Sequence, residues 1–140
     1  MMVVDAGVVL ALVLPLPYSD RAAERLGALR RSREELFAPA LLEYEVCSVL
    51  RRAVVRQIVD SETATASLNL IQALRIEPIT PAVSLHERAL SWAARLQHSK
   101  AYDAHYLALA EEMRCGLLTT DLRLAKAARS LGATWVESLA

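Results

Sequence analysis

The residues of this chain best placed to do chemistry are acids. One apolar run, Met2-Val3-Val4, ends in Asp5, and a second, Gly116-Leu117-Leu118-Thr119, is followed after Thr120 by Asp121. Two strand-like runs that each deliver an Asp at the C-terminal end predict a single arrangement. In open parallel α/β sheets, ligands bind in the crevice outside those strand ends. Glu45 and Asp103 lie in helix-like segments able to reach the same crevice. Four carboxylates cannot all ionise in a small space without compensation. A divalent cation is the simplest compensation, and hydrolysis of a phosphodiester is its simplest use. The three histidines, His86, His98 and His105, make no metal-ligand spacing and read as surface or interface residues. A purely carboxylate set suits Mg²⁺ or Mn²⁺ rather than zinc. Each acid also has a plainer reading: Asp5, Asp103 and Asp121 as helix N-caps, and Glu45 as a surface partner of Arg52.

Positioning these acids requires alternating strands and helices. The pattern predicts a strand over 2–6, a helix over 7–14, and a helix over 19–31 capped by Ser19. A strand over 35–38 leads into a helix from Pro39 to about 57, since Pro suits a first helical turn. Ser61 caps a helix over 62–74. Residues 75–79 form a strand that Pro78 confines to a sheet edge. A helix from Thr80-Pro81 to 96, a polar loop over 97–101, a helix over 103–114 and a strand over 116–119 follow. A helix over 122–131 closes at Gly132, and 134–136 is the last strand. Such alternation defines a three-layer α/β/α sandwich with a mainly parallel sheet of four to five strands, with residues 1–140 as one domain. The mostly helical stretch 39–96 forms a lobe beside the sheet. On the helix after Pro39, the apolar arc of Leu42, Val46, Val49, Leu50, Ala53 and Val54 includes Glu43 and leaves Glu45 at its border. Periodicity alone does not choose between the two glutamates.

Composition narrows the class. With 54% apolar residues among 140, the chain can build a substantial core, and the excess suggests helix surface buried in a partner. The apolar stretch 6–14 is too short to span a bilayer and has no basic segment before it, which argues for a cytoplasmic protein. Cys47 and Cys115 lie in apolar patterns and are expected to be reduced core thiols. The formal net charge is zero, which argues against tight non-specific binding to nucleic acid but permits local patches. Lys100 and Lys126 are the only lysines. The helix sets Arg51, Arg52, Arg56 and Arg123, Lys126, Arg129 are candidate phosphate contacts.

The pieces occur in an order that resembles the PIN-domain ribonucleases of the VapC toxin type. They are Val3-Val4-Asp5-Ala6, the helix segment from Ala38 through Glu45-Val46-Cys47-Ser48 to Arg52, then Tyr102-Asp103-Ala104-His105-Tyr106, and Leu118-Thr119-Thr120-Asp121. Together they span essentially the whole chain. The resemblance implies a PIN-like fold and an Mg²⁺- or Mn²⁺-dependent endoribonuclease with Asp5, Glu45, Asp103 and Asp121 as metal ligands and catalytic residues. The hydroxyl of Thr119 joins them, and Glu43 is extra. It further implies RNA as substrate, products with a 5′-phosphate and a 3′-hydroxyl, a cognate VapB-like antitoxin, and a homodimer. Two positions depart from the family pattern: Gly7 stands where Ser or Thr is frequent, and Ser48 where Asn is frequent. Neither removes a carboxylate. An RNA-processing PIN nuclease without an antitoxin, and a non-catalytic PIN scaffold, are the alternatives. A phosphoacceptor receiver or a haloacid-dehalogenase-like phosphatase would need a second acid beside Asp5, which Ala6-Gly7 does not supply.

Overall fold

The structure, a computed structural model, describes residues Met1–Ala140. Five strands, β1 (Met2–Val4), β2 (Leu36–Pro39), β3 (Glu77–Ile79), β4 (Gly116–Thr119) and β5 (Val136–Ser138), form one sheet in the order β3-β2-β1-β4-β5. Every pairing is parallel. Seven helices connect them: α1 (Ala6–Leu10), α2 (Ser19–Arg31), α3 (Leu41–Val55), α4 (Ser61–Gln72), α5 (Val83–Leu96), α6 (Tyr102–Met113) and α7 (Leu122–Ser130). This is the α/β sandwich that the alternation predicts, with five strands.

The central strands read as unbroken apolar runs because both faces are covered. Val3, Val4, Leu117 and Leu118 are all fully buried. Val4 pairs with Leu118, and the Asp5 N–H donates to the Leu118 carbonyl at 3.1 Å. The chain therefore leaves the sheet at Asp5 beside Thr119, at the C-terminal edge of both strands. Helix α6 packs across β1, β2 and β4. Its face of Ala104, Tyr106, Leu107, Ala108, Leu109 and Ala110 is buried, so the start of α6 is fixed over the same edge.

Several local expectations need correction. Pro39 ends β2 instead of opening a helix, because the ladder to β3 continues to Ala40, whose N–H donates to the Ile79 carbonyl. Asp60, not Ser61, caps α4, accepting from Thr63 N at 2.7 Å. Ser19 is the first residue of α2, and its hydroxyl ties down the preceding turn at Leu14 and Leu16. The last strand lies two residues later than expected. Glu137, polar enough to disguise it, forms a two-point ion pair with Arg25 of α2 at 2.7 and 2.8 Å. Cys47 is exposed and Cys115 partly buried; both are free thiols, but Cys47 is not a core residue. Stretch 39–96 divides: α3 packs on α4, whereas α5 packs on α6. No helix is long and apolar enough to cross a membrane.

Candidate active site

Asp5 is the N-cap of α1 as well as the terminus of β1. Its Oδ1 accepts from Val8 N at 2.9 Å, and its Oδ2 accepts from the Thr119 hydroxyl. Thr119 is fully buried. Its Oγ1 also accepts from Asp121 N at 2.9 Å, which links the two strand-end acids through one hydroxyl. Asp121 caps α7 through Leu124 N, also at 2.9 Å. The capping role expected as the plain alternative is thus present for both residues, and it aims each carboxylate at the sheet edge. Burial pushes the Asp5 carboxyl up to about 6, against pull in the other direction from Thr119 and the backbone N–H groups of Val8 and Thr120, with the charge of Asp103 adding to the rise.

Glu45 projects from α3. The buried face of this helix is Leu42, Val46, Leu50 and Ala53, and its half-covered flank is Leu41, Glu45 and Val49. Glu43 is exposed, so it does not lie within the buried arc. The helix packs centred on Val46, which turns position 43 to solvent and position 45 toward the sheet edge. The Tyr106 hydroxyl donates to Glu45 Oε1 at 2.8 Å, and no ion pair joins Glu45 to Arg52. Burial raises the Glu45 carboxyl, with Asp103 adding to the rise. Burial next to the Glu45 carboxylate holds the Tyr106 phenol well above its ordinary range.

Asp103 is exposed in the first turn of α6. Partial desolvation of its carboxylate and the charge of Asp121 raise it, while His98 lowers it. Asp103 therefore interacts electrostatically with each of the other three acids. It sits with Glu45 on a groove of about 730 Å³ between α3 and residues 97–103. Asp5 and Asp121 do not line that groove. None of the four acids is engaged in an ion pair.

Tyr106, Lys100 and His98 escaped sequence reasoning as site residues; His98 reads as a surface residue but lines the groove beside Asp103. Tyr106 sits on an apolar stripe and reads as core, yet its hydroxyl fixes Glu45. Lys100 lies in a loop legible only as polar, yet it lines the groove. Of the candidate phosphate contacts, Arg52 lines the groove. Arg51, Arg56, Arg123 and Lys126 are exposed elsewhere, and Arg129 is committed to the Val136 carbonyl at 2.7 Å. His86 and His105 form a mutual hydrogen bond at 2.7 Å between α5 and α6, away from the acids' direct contacts. The departure at position 7 has a steric basis: a Cβ on Gly7 would collide with Thr120 Oγ1.

The donor set and the sheet edge define a class. The PIN domain family matches residues 2–130, and the chain belongs to that family. Among the proteins it is similar to are VapC ribonucleases. The chain is 39% identical to Ribonuclease VapC9 of Mycobacterium tuberculosis over 124 residues, 89% of this chain and 88% of that protein. It is 35% identical to Ribonuclease VapC12 of the same organism over 128 residues, 90% and 91% of the two chains. The fold also matches the crystal structure of VapBC2 from Rickettsia felis bound to a DNA fragment from their promoter. The TM-score is 0.73 at 11% identity, over 98% of this chain and 97% of that one.

Proposed function

We propose that this chain is a divalent-metal-dependent endoribonuclease and the toxin of a toxin–antitoxin pair, acting in the cytoplasm as one PIN domain. The observation that carries the reading is the buried Thr119 hydroxyl, which bridges Asp5 and Asp121 at the sheet edge while Asp103 interacts with both and with Glu45. The VapC ribonuclease names of its relatives support the same reading.

The donor chemistry fits Mg²⁺ or Mn²⁺: carboxylate oxygens only, with no Lys or Arg neutralising them. No three His, Cys, Asp or Glu side chains converge closely enough to enclose an ion. Mg²⁺ does not require such a cluster, since it is commonly held by one or two carboxylates plus water and substrate phosphate. Asp5, Glu45, Asp103 and Asp121 are the acids that would hold it, directly or through its waters. When bound, the ion lowers the pKa of water and offsets charge developing on the phosphoryl oxygens.

The chain's own residues supply orientation and charge. Thr119 and Val8 fix the two oxygens of Asp5. Tyr106 fixes Glu45, and the Leu124 N–H fixes Asp121. Hydrolysis adds water across the P–O3′ bond: the water oxygen joins phosphorus and the 3′-oxygen leaves with a proton. The products carry a 5′-phosphate and a 3′-hydroxyl. A VapB-like antitoxin would be the partner, in keeping with the VapBC2 assembly named for the Rickettsia felis structure. Incubating the purified protein with total RNA, with Mg²⁺ or with chelator, and mapping the cut ends tests the reading. Metal-dependent internal cuts with 5′-phosphate ends are expected; intact RNA under both conditions refutes it.

A further inference from the structure

Of the chain's Phe, Trp and Tyr rings only two are exposed, and both line the same groove. Phe37, Trp92 and Tyr106 are buried, and Tyr18 and Trp135 are partly buried. Tyr44 is 77% exposed and Tyr102 61% exposed. Tyr44 belongs to the α3 wall and Tyr102 to the opposite wall at the start of α6. Each ring immediately precedes a groove carboxylate, Glu45 and Asp103 respectively. The hydroxyl of neither tyrosine makes a hydrogen bond, in contrast to buried Tyr106. Large apolar rings left in water cost free energy unless a ligand covers them.

The cations of the groove narrow the ligand. Arg52 and Lys100 stand on opposite walls with the tyrosines, and neither is in an ion pair. Rings that offer flat faces, interleaved with free cations, are the elements that bind single-stranded nucleic acid: bases stack on rings while cations track phosphates. A duplex keeps its base faces stacked on one another and cannot offer them. An apolar peptide would use the rings but leave Arg52 and Lys100 unsatisfied.

We propose that Tyr44 and Tyr102 are stacking platforms that hold unpaired bases on either side of the scissile phosphate, with Arg52 and Lys100 contacting neighbouring phosphates. This rests on the nuclease reading above, and it assigns substrate positioning to residues outside the carboxylate set. Both rings are solvent-exposed, so their removal leaves the core untouched.

The test measures binding of a fluorescein-labelled single-stranded RNA 12-mer of mixed sequence, and of the same RNA annealed to its complement. The protein is Asp5→Asn, expected to bind without cutting, in the presence of Mg²⁺. Tyr44→Ala and Tyr102→Ala should each weaken single-strand binding roughly tenfold or more, whereas Tyr44→Phe and Tyr102→Phe keep it. The dependence of binding on salt should be unchanged by the tyrosine variants and shallower in Arg52→Gln and Lys100→Gln, each of which removes a phosphate contact. Duplex RNA should bind weakly to all of them. RNA binding untouched by either alanine variant overturns the assignment and leaves the nuclease reading standing; in that event the rings serve a protein partner. A phenylalanine variant as weak as its alanine counterpart overturns stacking in favour of the hydroxyl. No RNA binding by Asp5→Asn itself counts against the nuclease reading and the platforms together.

Discussion

Asp5→Asn should abolish cleavage and make the metal-free protein more stable. Asp5 has its carboxyl raised from 3.8 to about 6 in the fold, chiefly by burial. Stability supplied by the protonated carboxyl is fully present below pH 3.8 and is lost as the pH rises through about 6. Above that window the native state carries an ionised, desolvated group. The difference of roughly two pH units corresponds to about 3 kcal/mol. Asparagine has no charge at any pH and escapes this cost. It does so imperfectly, because its amide nitrogen turns a donor toward Thr119, whose hydroxyl must then reorient. One disturbed hydrogen bond offsets about 1 kcal/mol. The net gain at pH 8 is about 2 kcal/mol, a rise in Tm on the order of 6 °C for a chain of this size. Urea unfolding of both proteins at pH 8 and pH 4, in chelator, reads the difference directly. The gap should be present at pH 8 and close toward pH 4. Added Mg²⁺ should also narrow it at pH 8, since a cation that binds only the native parent stabilises the parent. A variant no more stable than its parent at pH 8, or a gap equal at both pH values, would refute the reasoning.

The other expectations are more direct. Glu45→Gln should lose RNA cleavage by at least a hundredfold in a gel assay, whereas Glu43→Gln should stay near the parent rate, since only Glu45 meets Tyr106; the reverse ranking places the site on the wrong glutamate. Tyr106→Phe should cost about 1 kcal/mol in thermal unfolding. It should also shift the acid limb of the pH–rate profile to higher pH, because the lost donor is the one that pulls the Glu45 carboxyl down; an unmoved limb argues against that role. Light scattering over a dilution series should give a dimer, with exposed Val55, Ile58, Leu68 and Leu70 of the α3–α4 region in an interface above about 1,000 Å². A monomer at every concentration removes the dimer.

The parts of the fold legible in the sequence are those where one physical cause dominates. β1 and β4 are buried on both faces, so they appear as apolar runs and their terminal acids stand out. β3 announces its edge position through Pro78. Features that depend on distant partners were not legible. β5 is hidden because Glu137 satisfies its charge on Arg25, 112 residues away. The orientation of α3, and with it the choice between Glu43 and Glu45, is set by packing around Val46, which helical periodicity gives only to within an arc. Tyr106 looks like core in sequence because its ring is core. Its function resides in one hydroxyl, which no spacing rule detects. Asp60 and Ser61 are both good caps, and only the backbone geometry at residue 60 separates them.

The crowding of Gly7 by Thr120 makes two positions that are far apart in the chain share one space. In mutational terms they are epistatic. A serine at position 7, harmless in a protein with a small residue at 120, meets the Thr120 hydroxyl here. The same two changes made in the other order encounter no such collision. A gain of side chain at 7 therefore requires the Thr120 hydroxyl to swing aside, or position 120 to shrink first. Tolerance at the start of α1 is coupled to a residue that the ribosome adds more than a hundred positions later.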